Sequence, residues 1–383
     1  MNKRVYKMKI KLYNKIAACG LERLPADFET AEDFSEYDGV LVRSADLHGV
    51  EFPASLRAVA RAGAGVNNIP CEELAKKGVV VFNTPGANAN AVRELAVAAL
   101  LLTSRRVTEA AEWTKTLSGN PDALKIVEKE KSKFQGPEIL GKTLGVIGLG
   151  AVGGGLANAA CALGMRVLGY DPFVSVGAAW ALDPRVKKVD DLDTLYAESD
   201  YLSVHVPSLP STRGMIGKDA IAKMKDGVRI LNLARADLAV DEDVLKGIEK
   251  KKIAAYFTDF PTGALAGKAG VVATPHLGAS TPEAEDNCAV MACEELRDFL
   301  LNGNVRNSVN FPAVSQSRSG KYRVGVFCLA DPETEAALSK ELFGGAVSKG
   351  TRNGVTYLIC DRDAEFDLEK IKAVNGVIRV TAT

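Results

Sequence analysis

Apolar residues along this chain fall in short runs, parted by charged or turn-rich stretches. IKLY (10–13), GVLV (39–42), LRAVAR (56–61) and VVVF (79–82) are β-rich runs of strand length. Their alternation with polar segments predicts a small α/β unit with a parallel sheet. A long apolar helix is expected over about 89–104. The stretch 109–134 is charged and helical in pattern, with a Gly-Asn-Pro break at 119–121.

A second series begins at Gly141. Strands are expected at 143–147, 166–170, 201–205, 228–232, 253–258 and 271–273, with helical segments between them. Six strands alternating with helices describe a Rossmann-type doubly wound parallel sheet. A second long helix, about 282–302, leads to NSVNFP (307–312). AVSQSRSG (313–320) reads as a polar linker. Beyond it come strand 322–329, helix 333–342, strand 354–360, helix 367–373 and strand 376–381, roughly a ferredoxin-like βαββαβ module with its second strand indistinct. The fold class is therefore α/β, with a small C-terminal α+β module.

Composition removes several function classes. The 383 residues carry 48 Lys plus Arg and 48 Asp plus Glu, a net charge of zero. No general attraction to nucleic acid or to an anionic membrane is expected. Seven cysteines, an odd number without C-x-x-C spacing, suit reduced thiols in a cytoplasmic protein, with neither a disulfide framework nor a metal site. The basic N-terminal stretch lacks the apolar core of a secretory signal, and no apolar run is long enough to span a bilayer.

The strongest chemical signal is GLGAVG, with Gly148, Gly150 and Gly153, after the apolar strand TLGVI. The first glycine permits a tight turn, the second lets backbone approach a pyrophosphate, and the third allows close helix–strand packing. Ala151 and Val152 open the helix, whose N-terminal amides would face phosphates. The next strand, RVLGY, ends in Asp171. A carboxylate there accepts from a ribose 2′-hydroxyl and repels a 2′-phosphate, so NAD is expected over NADP.

Only three histidines occur: His48, His205 and His276. His276, in TPHLGAST, lies just past an expected strand, in the crevice where such sheets bind ligands. That makes it the candidate acid–base. His48 lies in a polar stretch, and His205 in YLSVHVP reads as a wall of the cofactor site. Arg235, in LNLARAD, could fork a substrate carboxylate or join a surface ion pair. RAGAGVNN (61–68) and NTPGANANAV (83–92) are turns whose amides could form an anion nest, beside Arg43 and Ser44.

Together these blocks resemble the D-2-hydroxy acid dehydrogenase family. VRSADL, VARAGAGVNNI, NTPGANANAV, GLGAVG with Asp171, HVPSLPSTRGMIG, LNLARAD and PHLGASTPEAEDNCAVMA follow its order over about residues 8–312. RAGAGVNNI and PGANANAV resemble the phosphoglycerate dehydrogenase branch, and the tail resembles its ACT-type domain. The resemblance implies a Rossmann domain (90–281) inserted in a flavodoxin-like substrate domain (8–89 and 282–312), then an ACT-like domain (321–383). It implies NAD-dependent oxidation of a small phosphorylated or carboxylate substrate, D-3-phosphoglycerate by branch, in a homodimer. Arg235 would hold the substrate carboxylate and His276 would carry the proton. Arg43, Ser44 and Asn88 match substrate positions, and Val66 and Asn67 would contact substrate through backbone. His205, Pro207, Ala234 and Asp259 would line the cofactor.

Three departures stand out. The family's glutamate, partner of the histidine, is replaced by Gly263 in YFTDFPTGAL, and Asp259 is shifted by one residue, with Thr258 in its place. The Ala-Arg-Gly block reads Ala-Arg-Ala, with Ala236. The C-terminal module lacks the family's Asn- and Gly-rich effector turn, so it is expected to serve assembly without serine control, and to be removable without loss of turnover. Two rivals stay open: another D-2-hydroxy acid such as 2-hydroxyglutarate, and a non-catalytic NAD-sensing protein.

Overall fold

The computed structural model describes residues 7–383. The first six, part of the stretch judged above for a secretory signal, lie outside the described residues. The chain divides into two compact units, Met1–Asn88 with Pro282–Thr383, and Ala89–Thr281.

In the first unit, β1 (Met8–Tyr13), β2 (Phe28–Ala31), β3 (Gly39–Val42), β4 (Ala58–Arg61) and β5 (Val80–Phe82) form a parallel sheet in the order β2-β1-β3-β4-β5. This is the flavodoxin-like order, whose switch point lies between β1 and β3. Strands β3 and β5 are buried throughout, because a parallel sheet is covered on both faces. β2 was not anticipated. Its sequence FETA is a polar edge strand that buries only Phe28, so it leaves no apolar run to read.

In the second unit, β6 (Thr143–Ile147), β7 (Arg166–Tyr170), β8 (Lys187–Lys188), β9 (Tyr201–Val204), β10 (Val228–Asn232), β11 (Ile253–Thr258) and β12 (Val271–Ala273) form a seven-stranded sheet ordered β12-β11-β10-β9-β6-β7-β8. All its pairings are parallel. The order reverses between β6 and β9, as in a doubly wound Rossmann sheet. The helices Ala89–Arg105 and Ala151–Ala162 pack through Ala96, Ala99, Leu100, Leu156, Ala157 and Ala160 on one face. The charged stretch forms helices Val107–Lys115 and Ala123–Glu130 and a short turn Lys131–Phe134, none with a buried residue.

The chain then returns to the first unit. β13 (Tyr322–Leu329), β14 (Ala346–Arg352), β15 (Val355–Arg362) and β16 (Val377–Ala382) make an antiparallel sheet ordered β14-β15-β13-β16. That is the ferredoxin-like arrangement. Its indistinct second strand is β14, an edge strand with no buried residue.

The packing of this module speaks against its expected separability. Phe327, Tyr357 and Ile359 share one core with Ile10, Leu41, Val80 and Phe82 of the parallel sheet and with Leu296, Phe299 and Leu300 of helix Pro282–Asn302. Phe327 stacks on Tyr357 at 4.2 Å and meets Phe311 at 4.7 Å and Phe299 at 6.3 Å; Phe299 meets Phe82 at 5.8 Å. The segment 313–320 is equally committed. Val314 exchanges two backbone bonds with Val305, and Gln316 and Ser319 donate to Asp361. Asp361 pairs with buried Arg323, whose Nη1 donates to the Asn302 carbonyl at 2.8 Å. This buried, hydrogen-bonded ion pair ties the sheet to its neighbours.

Candidate active site

The cofactor cradle is built at the switch point of the seven-stranded sheet. β6 runs into Gly148, whose φ of +89° is left-handed. A Cβ there would lie 2.7 Å from the His205 carbonyl at the end of β9, so only glycine fits. A Cβ on Gly153 would lie 1.9 Å from the Gly148 carbonyl, which is the close helix–strand approach the motif demands. A Cβ on Gly150 meets nothing within 4 Å. Open space therefore sits at the start of helix Ala151–Ala162, where Ala151 and Val152 belong to the first turn and its amides lack intrahelical partners. These residues fit a dinucleotide: two glycines that tolerate no side chain, and one that faces room for a pyrophosphate.

Asp171 follows β7. Its two oxygens accept from the amides of Leu149 and Phe173, each at 2.9 Å, which aims the carboxylate at the glycine loop and leaves lone pairs for a ribose hydroxyl. His205 bonds Ser203 Oγ through Nε2 at 2.8 Å, and burial pushes its imidazole down to about 4. Its imidazole is therefore neutral near pH 7. Pro207 supplies a carbonyl that accepts from Thr212 Oγ1, which shapes the following turn.

Ala234 and Arg235 stand at the end of β10. Buried Asn232 clamps them: Oδ1 accepts from Ala234 N and Arg235 N, and Nδ2 donates to the Arg235 carbonyl at 2.8 Å. The Arg235 guanidinium is exposed and donates to the Ala234 carbonyl at 2.6 Å. Among the described residues it joins no ion pair, so the salt-bridge alternative has no partner here. Asn232 was overlooked in the sequence. Its signal was a polar residue inside the apolar strand LNL.

His276 lies in the loop after β12 with φ of +55°, an unusual setting for a side-chain-bearing residue. Asp259, expected at the cofactor, turns instead into this loop. It is 1% exposed. Its Oδ1 accepts from Thr274 Oγ1 and Leu277 N, and Oδ2 from Gly278 N, all at 2.7 Å. The His276 amide donates to the Asp259 carbonyl at 3.0 Å. The Phe260 ring packs against the imidazole at 4.8 Å. No carboxylate pairs with His276 among the described residues, and Gly263 lies in a turn where a Cβ meets open space.

In the first unit, Arg43 and Ser44 stand at the other switch point, between β1 and β3. Asn14 follows β1 with φ of +109°, and its Oδ1 accepts from the amides of Arg43, Ser44 and Ala45 at 3.3, 3.1 and 2.8 Å. Asn68 Nδ2 donates to the Ala45 carbonyl at 2.7 Å, and Arg61 Nε to the Arg43 carbonyl at 2.9 Å. The Arg43 side chain pairs with Glu285 of helix Pro282–Asn302. The Val66 carbonyl accepts from Ile69 N; Asn67 is exposed, and half-buried Asn88 precedes helix Ala89–Arg105. Asn14, Asn68 and Glu285 were not singled out in the sequence; each acts through a residue at least 23 positions away.

Among the described residues no cluster of three or more His, Cys, Asp or Glu could hold a metal, and no helix is long and apolar enough to cross a membrane.

Residues 97–278 match the family described as D-isomer specific 2-hydroxyacid dehydrogenase, NAD binding domain. The D-3-phosphoglycerate dehydrogenase of Synechocystis sp. is 34% identical over 354 residues, 89% of this chain and 60% of that protein. That of Archaeoglobus fulgidus is 35% identical over 331 residues, 84% of this chain and 60% of that protein. The chain thus spans about three fifths of the length of these two relatives. A hydroxypyruvate reductase of Thermotoga maritima is 39% identical over 289 residues, 72% of this chain and 88% of that protein. Among solved structures, the NAD+-bound 3-phosphoglycerate dehydrogenase of Entamoeba histolytica aligns with a TM-score of 0.60 and 26% identity, over 79% of this chain and 99% of that one.

Proposed function

Since the chain belongs to the D-isomer specific 2-hydroxyacid dehydrogenase family, we propose that it oxidises D-3-phosphoglycerate to 3-phosphohydroxypyruvate with NAD, the first step of serine biosynthesis. The observation that carries the reaction type is one arrangement. The carboxyl ends of parallel strands β6, β10 and β12 in the second unit carry a nucleotide cradle, a guanidinium that joins no ion pair among the described residues, and a histidine loop. The relatives at 34% and 35% identity support the phosphorylated substrate, and the hydroxypyruvate reductase keeps an unphosphorylated one in view.

Gly148, Gly150 and Gly153 would hold the pyrophosphate of NAD and Asp171 its ribose, and the bound cofactor would supply the acceptor for the hydride leaving C2. The rest falls to the chain. Arg235, its backbone clamped by Asn232, forks the substrate carboxylate, which orients C2 and draws electron density from it. His276 takes the hydroxyl proton as C2 becomes a carbonyl, and returns it in reduction. General acid–base help of this kind is worth about 10²–10⁴-fold. Arg43, Ser44, Val66, Asn67 and Asn88 would meet the remainder of the substrate.

We read the C-terminal sheet as an ACT-like module without serine control, and the arm of helices at 107–130, which buries no side chain, as a surface for a homodimer. Seven free cysteines support a cytoplasmic setting.

Following NADH consumption with 3-phosphohydroxypyruvate, hydroxypyruvate and 2-oxoglutarate tests the assignment. Arg235→Ala should lower kcat/KM by about 10²-fold or more, the loss of a charge-assisted fork, while NADH affinity holds. NADH binding without turnover of any 2-oxo acid would leave the NAD-sensing alternative.

A further inference from the structure

We infer that Glu285 is a specificity-determining residue: its carboxylate competes with the distal anion of the substrate for the Arg43 guanidinium. This rests on the proposed place of Arg43 in the substrate site.

Arg43 follows β3 at the switch point of the five-stranded sheet, where ligands of such sheets gather. Its backbone is held at both ends. The amide donates to Asn14 Oδ1, and the carbonyl accepts from Arg61 Nε and Asn68 Nδ2. The side chain is left to choose its partner, and that partner is the Glu285 carboxylate. Glu285 stands in the first turn of helix Pro282–Asn302, where negative charge suits the helix dipole. The two side chains are 46% and 42% exposed, so a ligand can reach the guanidinium.

The charges decide the outcome. Arg43 and Glu285 together sum to zero. A phosphate monoester carries about −1.5 to −2 near neutral pH. To bind Arg43 it must displace Glu285 or lie beside it, and either course places like charges together or strands a carboxylate. A hydroxymethyl tail, as on hydroxypyruvate, meets no such repulsion. Glu285 therefore lowers the preference for a phosphorylated over an unphosphorylated three-carbon 2-oxo acid. This is discrimination by a repulsive group. An exposed ion pair contributes little to folding, so the effect can be read on binding. Glu283 shares the same helical turn and joins none of the ion pairs among the described residues, which makes it the natural control.

The experiment uses the full chain and the ratio of kcat/KM for 3-phosphohydroxypyruvate to that for hydroxypyruvate. Glu285→Gln should raise this ratio about fivefold, the upper range for an exposed charge pair. It should also strengthen inhibition of hydroxypyruvate reduction by inorganic phosphate. Glu283→Gln should leave both readings unchanged. Arg43→Met should lower the ratio about tenfold or more. If Arg43→Met lowers the ratio and Glu285→Gln does not raise it, the competition proposed for Glu285 is wrong while Arg43 keeps its place. If Arg43→Met leaves the ratio unchanged, Arg43 does not meet the distal anion, and the reading beneath the inference falls with it. Equal effects of Glu283→Gln and Glu285→Gln would reduce the result to general surface charge and overturn the proposal.

Discussion

Both carboxylate oxygens of Asp259 accept hydrogen bonds from the loop that carries His276, and none of these bonds comes from the imidazole. Asp259 shapes the loop through Thr274, Leu277 and Gly278, and its own carbonyl accepts from the His276 amide. It is a positioning residue. The histidine, held at a left-handed φ and packed on Phe260, faces its chemistry without a carboxylate partner among the described residues.

Asp259→Asn replaces one accepting oxygen with a donor that faces backbone N–H groups. Hydrogen bonds to a charged acceptor are worth about 1.5–3 kcal/mol. Thermal unfolding should register a stability loss of that order, and kcat should fall about tenfold or more as the loop loosens. The alkaline limb of 2-oxo acid reduction should stay in place. A downward shift of that limb would show that the carboxylate acts on the imidazole directly.

Gly263→Glu restores a carboxylate at the position where the family carries one, and its Cβ enters open space. A negative charge near the imidazole favours its protonated form. Reduction needs that form, so its activity should persist to higher pH in the variant than in the native chain. Oxidation needs the neutral form, so its acidic limb should move up in step. Rate profiles in the two directions check both shifts; a variant whose limbs move oppositely would contradict the assignment of His276.

Stability should depend on pH through His205. Burial holds its imidazole at about 4 in the folded chain, against about 6.5 when unfolded. The unfolded chain binds the extra proton, so the contribution is full above about 6.5 and is lost as pH falls toward about 4. The shift corresponds to at most about 3 kcal/mol. Urea midpoints at pH 7.5 and 4.5 should differ less in His205→Gln than in the native chain.

Removing residues 321–383 should abolish cooperative folding of the first unit, because Phe327, Tyr357 and Ile359 complete the core around Phe82, Phe299 and Phe311. Phe327→Ala alone should cost about 3–5 kcal/mol. Calorimetry of both variants checks this. A truncated chain that melts as the full chain does would restore the module as an independent body.

Much of this protein was legible from the chain alone, for local reasons. Each strand–turn–helix of the second unit is written in contiguous residues. The demands on Gly148 and Gly153 come from a turn whose parts lie within six positions, so the motif predicts its own geometry. Arg235 and His276 could be proposed because strand ends can be counted along the sequence. The edge strands β2, β8 and β14 escaped because burial on one side or none leaves no apolar run.

What tertiary structure alone decided is where polar side chains point. Asp259 looked like a cofactor contact, and only the return of β12 beside β11 brings residues 274–278 to its oxygens. Asn14 meets Arg43, Ser44 and Ala45 because β1 and β3 are neighbours in the sheet. Glu285 meets Arg43 across 242 residues of sequence. The C-terminal sheet joins an aromatic core that composition reads as a separate module. Propensity and motif act over a few residues. A hydrogen bond or ion pair between distant residues depends on strand order and helix placement, which the whole core sets at once.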